Sequence, residues 1–295
     1  MVTINFADLH CDTITKMFEH DADIYQNFCQ VDIKKLSTFD SVIQFFAIWL
    51  DKKYLAKPFD NTVEFIKYYT KQIEKYKTYF TNMKFFLAIE GGEALENNLD
   101  NLKKFHDMGV ILLTLTWNYE NDLAGGVKSQ CGLKKFGGEV VELMDELNMI
   151  IDVSHASVKT FWDVYKLSKN SIVASHSNCR KICDNARNLD DDQILAIKEK
   201  NGLIGLNLYS DFISDGVANL NDIAKHTEHL LNLIGEENIC LGCDFDGADK
   251  YPSSIKNVAD MKNVYNLFKK FYGKQITDKI FYDNVKHFLT ARKFL

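Results

Sequence analysis

The residues able to do chemistry stand at the ends of short apolar runs. In FADLHCD (6–12), one such run ends in His10 and Asp12. Residues two apart on a strand point to one face, so an imidazole and a carboxylate stand side by side while Cys11 faces away. That pair suits a borderline divalent metal such as zinc. It also fits a turn with a solvated Asp. Other runs end in Glu90 (KFFLAIE, followed by Gly91 and Gly92), His155 (MIIDVSH), His176 (SIVASHS) and the pair Asp244 and Asp246 (ICLGCDFD). Each has a plainer reading when taken alone. Glu90 can cap the next helix, and His155 and His176 can be core histidines bonded to backbone. Together, two histidines, a His-x-Asp pair and a glutamate are hard to explain as packing. They supply ligands for two divalent ions, with Glu90 able to bridge them. Two such ions polarise a carbonyl and generate hydroxide near neutral pH, which is hydrolase chemistry.

Those residues need a scaffold that brings many strand ends to one place. Eight apolar, β-branched-rich runs recur, at 6–10, 41–49, 84–90, 110–117, 149–155, 171–177, 203–209 and 239–246. Continuous rather than alternating apolarity indicates strands covered on both sides, as in a parallel sheet. Between most of them lie segments of helical period: Thr62–Phe80, Leu95–His106, Lys135–Leu147, Val158–Leu167, Asp191–Lys200 and Leu220–Ile234. Two more, at 258–271 and 276–289, follow the last run. This order predicts an α/β chain forming one (β/α)8 TIM barrel over 1–295. In such barrels the chemistry sits at the C-terminal ends of the strands, where the candidates above fall. The first crossover, 13–40, has a poor helical pattern. His226 and His229, three apart on one predicted helix, imitate a metal pair and are read as a solvated helix face.

Composition narrows the classes further. A chain of 295 residues, 46% hydrophobic, can bury a large core, and two prolines with 15 glycines argue against a disordered linker. The net charge is −6 without a basic run, so nothing points to a nucleic-acid or membrane-surface partner. No apolar run is long enough to span a bilayer. The first run starts within a few residues of Met1, which leaves no room for a signal peptide. Seven irregularly spaced cysteines read as reduced thiols in a cytoplasm. Cys240 and Cys243 lie in a predicted strand, on opposite faces, and read as small buried hydrophobes. Cys179 and Cys183 are one helical turn apart but lack a second pair to complete a zinc site.

Several ordered motifs resemble the membrane (renal or microsomal) dipeptidase family of zinc peptidases, across nearly the whole chain. They are DLHCD (8–12), AIEGGEAL (88–95), LLTLTWN (112–118), IDVSHAS (151–157), SHSNCRKICDNARNLDDDQI (175–194) and GCDFDG (242–247). The resemblance implies a barrel of the amidohydrolase type, a dipeptide substrate, two zinc ions and a homodimer. By motif, His10, Asp12 and Glu90 would hold one ion, and Glu90, His155 and His176 the other. Arg187 matches the position that contacts the substrate carboxylate, and its planar fork suits two carboxylate oxygens. Its plainer reading is a surface salt bridge to Asp184 or Asp190. Asp244 matches the position proposed to shuttle a proton from the bridging water to the leaving amine.

One departure stands out. Where renal-type enzymes carry a histidine at the end of strand four, this chain has Trp117, in TWNYEND. An indole donates one hydrogen bond but holds no positive charge. Asn118, Tyr119 or Asn121 would then share in substrate binding. The chain also lacks the signal peptide and lipid-anchor tail of the animal members, which implies a soluble form. The expected activity is hydrolysis of dipeptides, L,D as well as L,L. The alternatives are another amidohydrolase-type hydrolysis, of a cyclic amide or lactone, or a metal-binding module without catalysis. Arg187 favours the first by implying a free carboxylate, and an intact Asp244 speaks against the last.

Overall fold

The computed structural model describes residues 3–295. Its strands are β1 (Phe6–Asp8), β2 (Val42–Trp49), β3 (Met83–Glu90), β4 (Val110–Thr114), β5 (Ile150–Asp152), β6 (Ile172–Val173), β7 (Ile204–Leu206) and β8 (Ile239–Leu241). β1 to β6 form one curled parallel sheet in chain order, and β7 pairs with β8, also in parallel. Bridges link the edges: Ala174 with Ile204, and Cys11 with Phe245. The Leu9 amide also donates to the Leu241 carbonyl at 3.0 Å.

The apolar runs are explained by burial on both faces. Along β2, Val42, Phe46 and Ile48 belong to a large cluster shared with the helices. Ile43, Phe45 and Ala47 alternate with them in a second cluster, with Ala7, Leu112, Val173 and Leu203. The last helix, Asn284–Ala291, sends Val285 and Leu289 into that second cluster. Helices cross between strands, and several start at a side-chain cap. Ser157 caps Val158–Leu167, while Asp190 and Asn219 form capping boxes with Gln193 and Asp222.

The ladders end before the apolar runs do. β4 stops at Thr114, β5 at Asp152, β6 at Val173 and β8 at Leu241. The chain then turns, and His155, Asp244 and Asp246 adopt left-handed φ of 64°, 60° and 67°, which an extended ladder cannot contain. His155, His176, Asp244 and Asp246 therefore sit just beyond the ladders, while Glu90 is the last residue of its own. Asp244 and Asp246 part company there. Asp246 accepts from Thr13 Oγ1 at 2.6 Å and Lys16 Nζ at 3.1 Å, tying this loop to the helix Thr13–Glu19.

Other expectations are corrected. The last two predicted helices become Met261–Asp278, broken at Gly273 (φ 80°), a π turn and Asn284–Ala291. Cys179 and Cys183 lie in a turn, not on a helix. His226 is not on a solvated face. It is fully buried, its Nδ1 accepting from the Cys179 amide and its Nε2 donating to the Ile213 carbonyl. Period alone cannot separate a solvated stripe from one covered by a distant loop. The first crossover is irregular, as its pattern suggests, with only Thr13–Glu19 and the one-turn Ile33–Leu36 helical.

Candidate active site

Glu90, the last residue of β3, lies at the centre of a buried cluster. Its Oε2 is 3.6 Å from His10 Nε2. Its Oε1 is 2.8 Å from His155 Nε2 and 3.6 Å from His176 Nε2. Asp12 Oδ2 is 3.2 Å from His10 Nε2, and the Nε2 atoms of His155 and His176 are 2.8 Å apart. Ligand-type atoms thus form three groups: His10, Asp12 and Glu90; Glu90, His155 and His176; and His10, His176 and Asp244, the first two sharing Glu90. Asp244 stands beside them, its Oδ1 3.9 Å from His10 Nε2. Space for the carboxylates depends on Gly247, where a Cβ would lie 2.1 Å from Asp12 Oδ2 and 2.5 Å from Asp244 Oδ1.

The electrostatics of this cluster follow from burying three carboxylates together. Burial alone would raise the Glu90 carboxyl, but the imidazoles of His155 and His10 outweigh it and hold it well below the usual range. Burial lowers His155 to about 4, helped by the Arg187 cation, and also drives His176 well below its ordinary value. His10 moves the other way. Burial opposes its cation, yet Asp12 and Glu90 prevail and raise it well above the ordinary range. Burial lifts Asp244 to about 7, with the Asp12 and Glu90 charges adding to it and His10 opposing. The cluster therefore draws in positive charge. Two imidazoles are held neutral with their Nε2 atoms close to Glu90, and Asp12 Oδ1 is buried without a partner. Neutral imidazoles, converging carboxylates and uncompensated negative charge are what a divalent-metal site requires, so these residues fit one.

A cleft of about 500 Å³ opens over Asp12, Glu90, His155 and Asp244, walled by Trp49, Trp117, Tyr209 and Phe212. A second cavity of about 460 Å³ shares Trp49, Glu90 and Trp117 with the first. Trp117 therefore faces both, its ring 5.2 Å from that of Trp49 and 6.3 Å from that of His155. Asn118 lines the first cleft and its Oδ1 meets His155 Nδ1 at 2.8 Å. Asn121 is a turn residue, its Oδ1 accepting from the Leu123 and Ala124 amides. Arg187 makes no surface salt bridge. It is 5% exposed, donates to Ser177 Oγ and the His176 carbonyl, and has Phe212 stacked 5.5 Å from its guanidinium. It borders the space behind His155 rather than the main cleft.

Sequence reasoning passed over Asn207, just after β7, whose Nδ2 donates to Asp244 Oδ2 at 3.0 Å. A polar residue inside the apolar run LIGLNLY was the available signal. It also passed over Asp152 and Ser175, whose bonds to one another and to His176 cross from β5 to the end of β6.

A sequence profile of the membrane dipeptidase family (peptidase family M19) matches residues 1–292. The chain belongs to that family. It is therefore a homologue of metallo-dipeptidases, enzymes that hydrolyse peptide bonds and use a metal cofactor. Dipeptidase 3 of Mus musculus is 32% identical over 182 residues, 59% of this chain and 37% of the mouse protein. This chain thus spans well under two thirds of that relative. In structure it is similar to a metallopeptidase from Rhodobacter sphaeroides (TM-score 0.88, 22% identity, 98% of this chain and 99% of that one). That enzyme was solved with a phosphinate mimic of the dipeptide L-Ala-D-Ala. An amidohydrolase from Burkholderia multivorans shares the fold more distantly (TM-score 0.51, 11% identity, 85% and 83% of the two chains). Among the described residues, no helix is long and apolar enough to cross a membrane.

Proposed function

We propose that this chain is a binuclear zinc dipeptidase that hydrolyses L,L- and L,D-dipeptides. The observation that carries the proposal is the sharing of Glu90 between two buried ligand groups. In this reading His10 and Asp12 hold one zinc, His155 and His176 the other, and Glu90 spans both. Zinc held there would supply Lewis acidity, to polarise a scissile carbonyl and to make a water acidic near neutral pH. Asp244 would accept a proton from an attacking water and pass it to the leaving amine; in the metal-free protein burial lifts its carboxyl to about 7. Arg187 would hold the substrate carboxylate from the space behind His155, where its Nε is buried without a partner. Trp117 and Asn118 bound the space around the scissile bond. The L,D preference draws on the ligand named for the Rhodobacter enzyme. The two edge bridges support a closed (β/α)8 barrel forming one domain. Seven unpaired cysteines accord with a cytoplasmic setting, and the family with a homodimer.

Two measurements test this reading. Purified protein should carry two zinc ions per chain, and a chelator should remove them together with activity on a panel of L,L- and L,D-dipeptides. Full activity with one ion or none per chain would sink the binuclear reading. The second concerns Arg187→Ala. A charge-assisted pair to a carboxylate contributes a few kcal/mol, so kcat/KM for free dipeptides should fall by roughly two orders of magnitude or more. Dipeptide amides should be poor substrates already and lose little more. Arg187→Lys should recover only part, because an ammonium cannot reproduce the fork. Equal losses on free and amidated substrates would take Arg187 out of substrate recognition and favour hydrolysis of a cyclic amide or lactone.

A further inference from the structure

Asp152 is a fully buried carboxylate with no part in the chemistry above. Its Oδ1 accepts from the amides of Ser154 at 3.0 Å and Ser175 at 2.9 Å. Its Oδ2 accepts from Thr114 Oγ1 and from Ser175 Oγ, each at 2.6 Å. Ser175 Oγ also lies 2.7 Å from His176 Nδ1. A line of short hydrogen bonds therefore runs from Asp152 through one hydroxyl to an imidazole of the metal cluster.

The proton count decides the direction of that line. Ser175 has a single hydroxyl hydrogen. Pointed at His176, it would leave the Ser175 oxygen lone pairs against Asp152 Oδ2. Pointed at Asp152, it makes a charge-assisted bond and presents a lone pair to His176 Nδ1. His176 must then carry its proton on Nδ1 and keep Nε2 free, and Nε2 is the atom turned toward Glu90 and His155. The other imidazoles have weaker backing. His155 Nδ1 meets the amide of Asn118, and His10 Nδ1 is buried without a partner.

We infer that Asp152 and Ser175 are positioning residues that set the tautomer and orientation of His176, and thereby tune the affinity of the metal pole formed by Glu90, His155 and His176. The inference rests on the metal-site reading above. Hydrogen bonds behind a metal-bound imidazole typically change affinity by about 10- to 100-fold. Asp152 also ties β4, β5 and β6 together through Thr114 and the two amides, so its structural role must be separated from its role toward His176.

Ser175→Ala makes that separation. It removes the hydroxyl link and a longer contact to Ser154 Oγ at 3.3 Å, while the amide of residue 175 still reaches Asp152 and Ser154 Oγ still accepts from the His176 amide. Thr114→Val is the control, because it loosens the strand tie without touching His176. Asp152→Asn can keep the amide contacts through its oxygen while turning an NH2 toward Ser175. That pushes the hydroxyl to donate to His176 and favours the wrong tautomer. The readout is zinc binding to metal-stripped protein, by competition with a chromogenic chelator, resolved into a first and a second ion.

For Ser175→Ala the expected result is one ion bound about 10- to 100-fold more weakly and the other unchanged. Asp152→Asn should lose at least as much at the same ion, and Thr114→Val should match the unmodified protein at both. Unchanged binding in Ser175→Ala overturns the relay, as does an equal loss in Thr114→Val. An unmodified protein that binds fewer than two zinc ions overturns the binuclear reading instead, so the two failures are distinct. If Asp152→Asn does not fold, the Ser175 and Thr114 pair still decides.

Discussion

Glu90→Gln is expected to strip the cluster of both ions and to reduce hydrolysis by roughly four orders of magnitude or more, because the acidity gained by a metal-held water spans about eight pK units. The geometry explains why one residue has so large an effect. Glu90 presents Oε2 to His10 and Oε1 to His155 and His176, so both ligand groups use it. Glutamine has the same shape, but it loses the charge and turns an NH2 toward one of the groups. An amide NH2 has no lone pair to offer a cation, and only two carboxylates remain to attract the positive charge that three attract in the unmodified protein. Elemental analysis of the purified variant checks this directly. A Glu90→Gln protein that still holds two ions per chain would show that Glu90 is not shared.

Asp244→Asn should do the opposite to metal and nearly as much to rate. Both ions stay if Asp244 acts as the base: it also groups with His10 and His176, but each of those histidines has Glu90 and one further ligand without it. Turnover falls by about two to four orders of magnitude, the usual range for a lost general base. Below its pKa the Asp244 carboxyl is protonated and cannot accept, so the unmodified enzyme should lose rate toward acid pH, at a pH that the two cations hold below the metal-free value. The variant should lose this acidic limb. Stability offers a second check. Burial raises the folded-state carboxyl to about 7, above the ordinary value near 4 of an unfolded chain. Folding therefore favours the protonated form, and the penalty grows as the pH rises from the unfolded value through the folded one. At pH 8 the metal-free Asn variant should melt higher than the metal-free unmodified protein. Loss of metal in Asp244→Asn would make Asp244 a ligand, and a lower melting temperature would mean that its bond from Asn207 outweighs its burial.

The sequence by itself determined which residues could act and at which end of the strands they stand. Doubly buried strands leave continuous apolar runs, and several His, Asp and Glu residues at the ends of such runs are together hard to explain as packing. His10, Asp12, Glu90, His155, His176 and Asp244 were all singled out that way, and their ligand-type atoms do lie together; the order of runs and helical segments pointed to parallel strands. What tertiary structure alone decided is how those ends meet. Whether Glu90 lies between two groups depends on sheet curvature and on left-handed turns at His155 and Asp244, and no local period records either. Alternation would also have paired Asp244 with Asp246, yet Asp246 turns to Thr13 and Lys16. His226 looked solvated because a helical stripe does not say what covers it. Arg187 could have stood at the surface beside Asp184 or Asp190, but Phe212 and the His176 carbonyl hold it in the interior. The Asp152–Ser175–His176 line joins side chains from two neighbouring strands, and a contact across strands is a property of register, which sequence spacing does not carry.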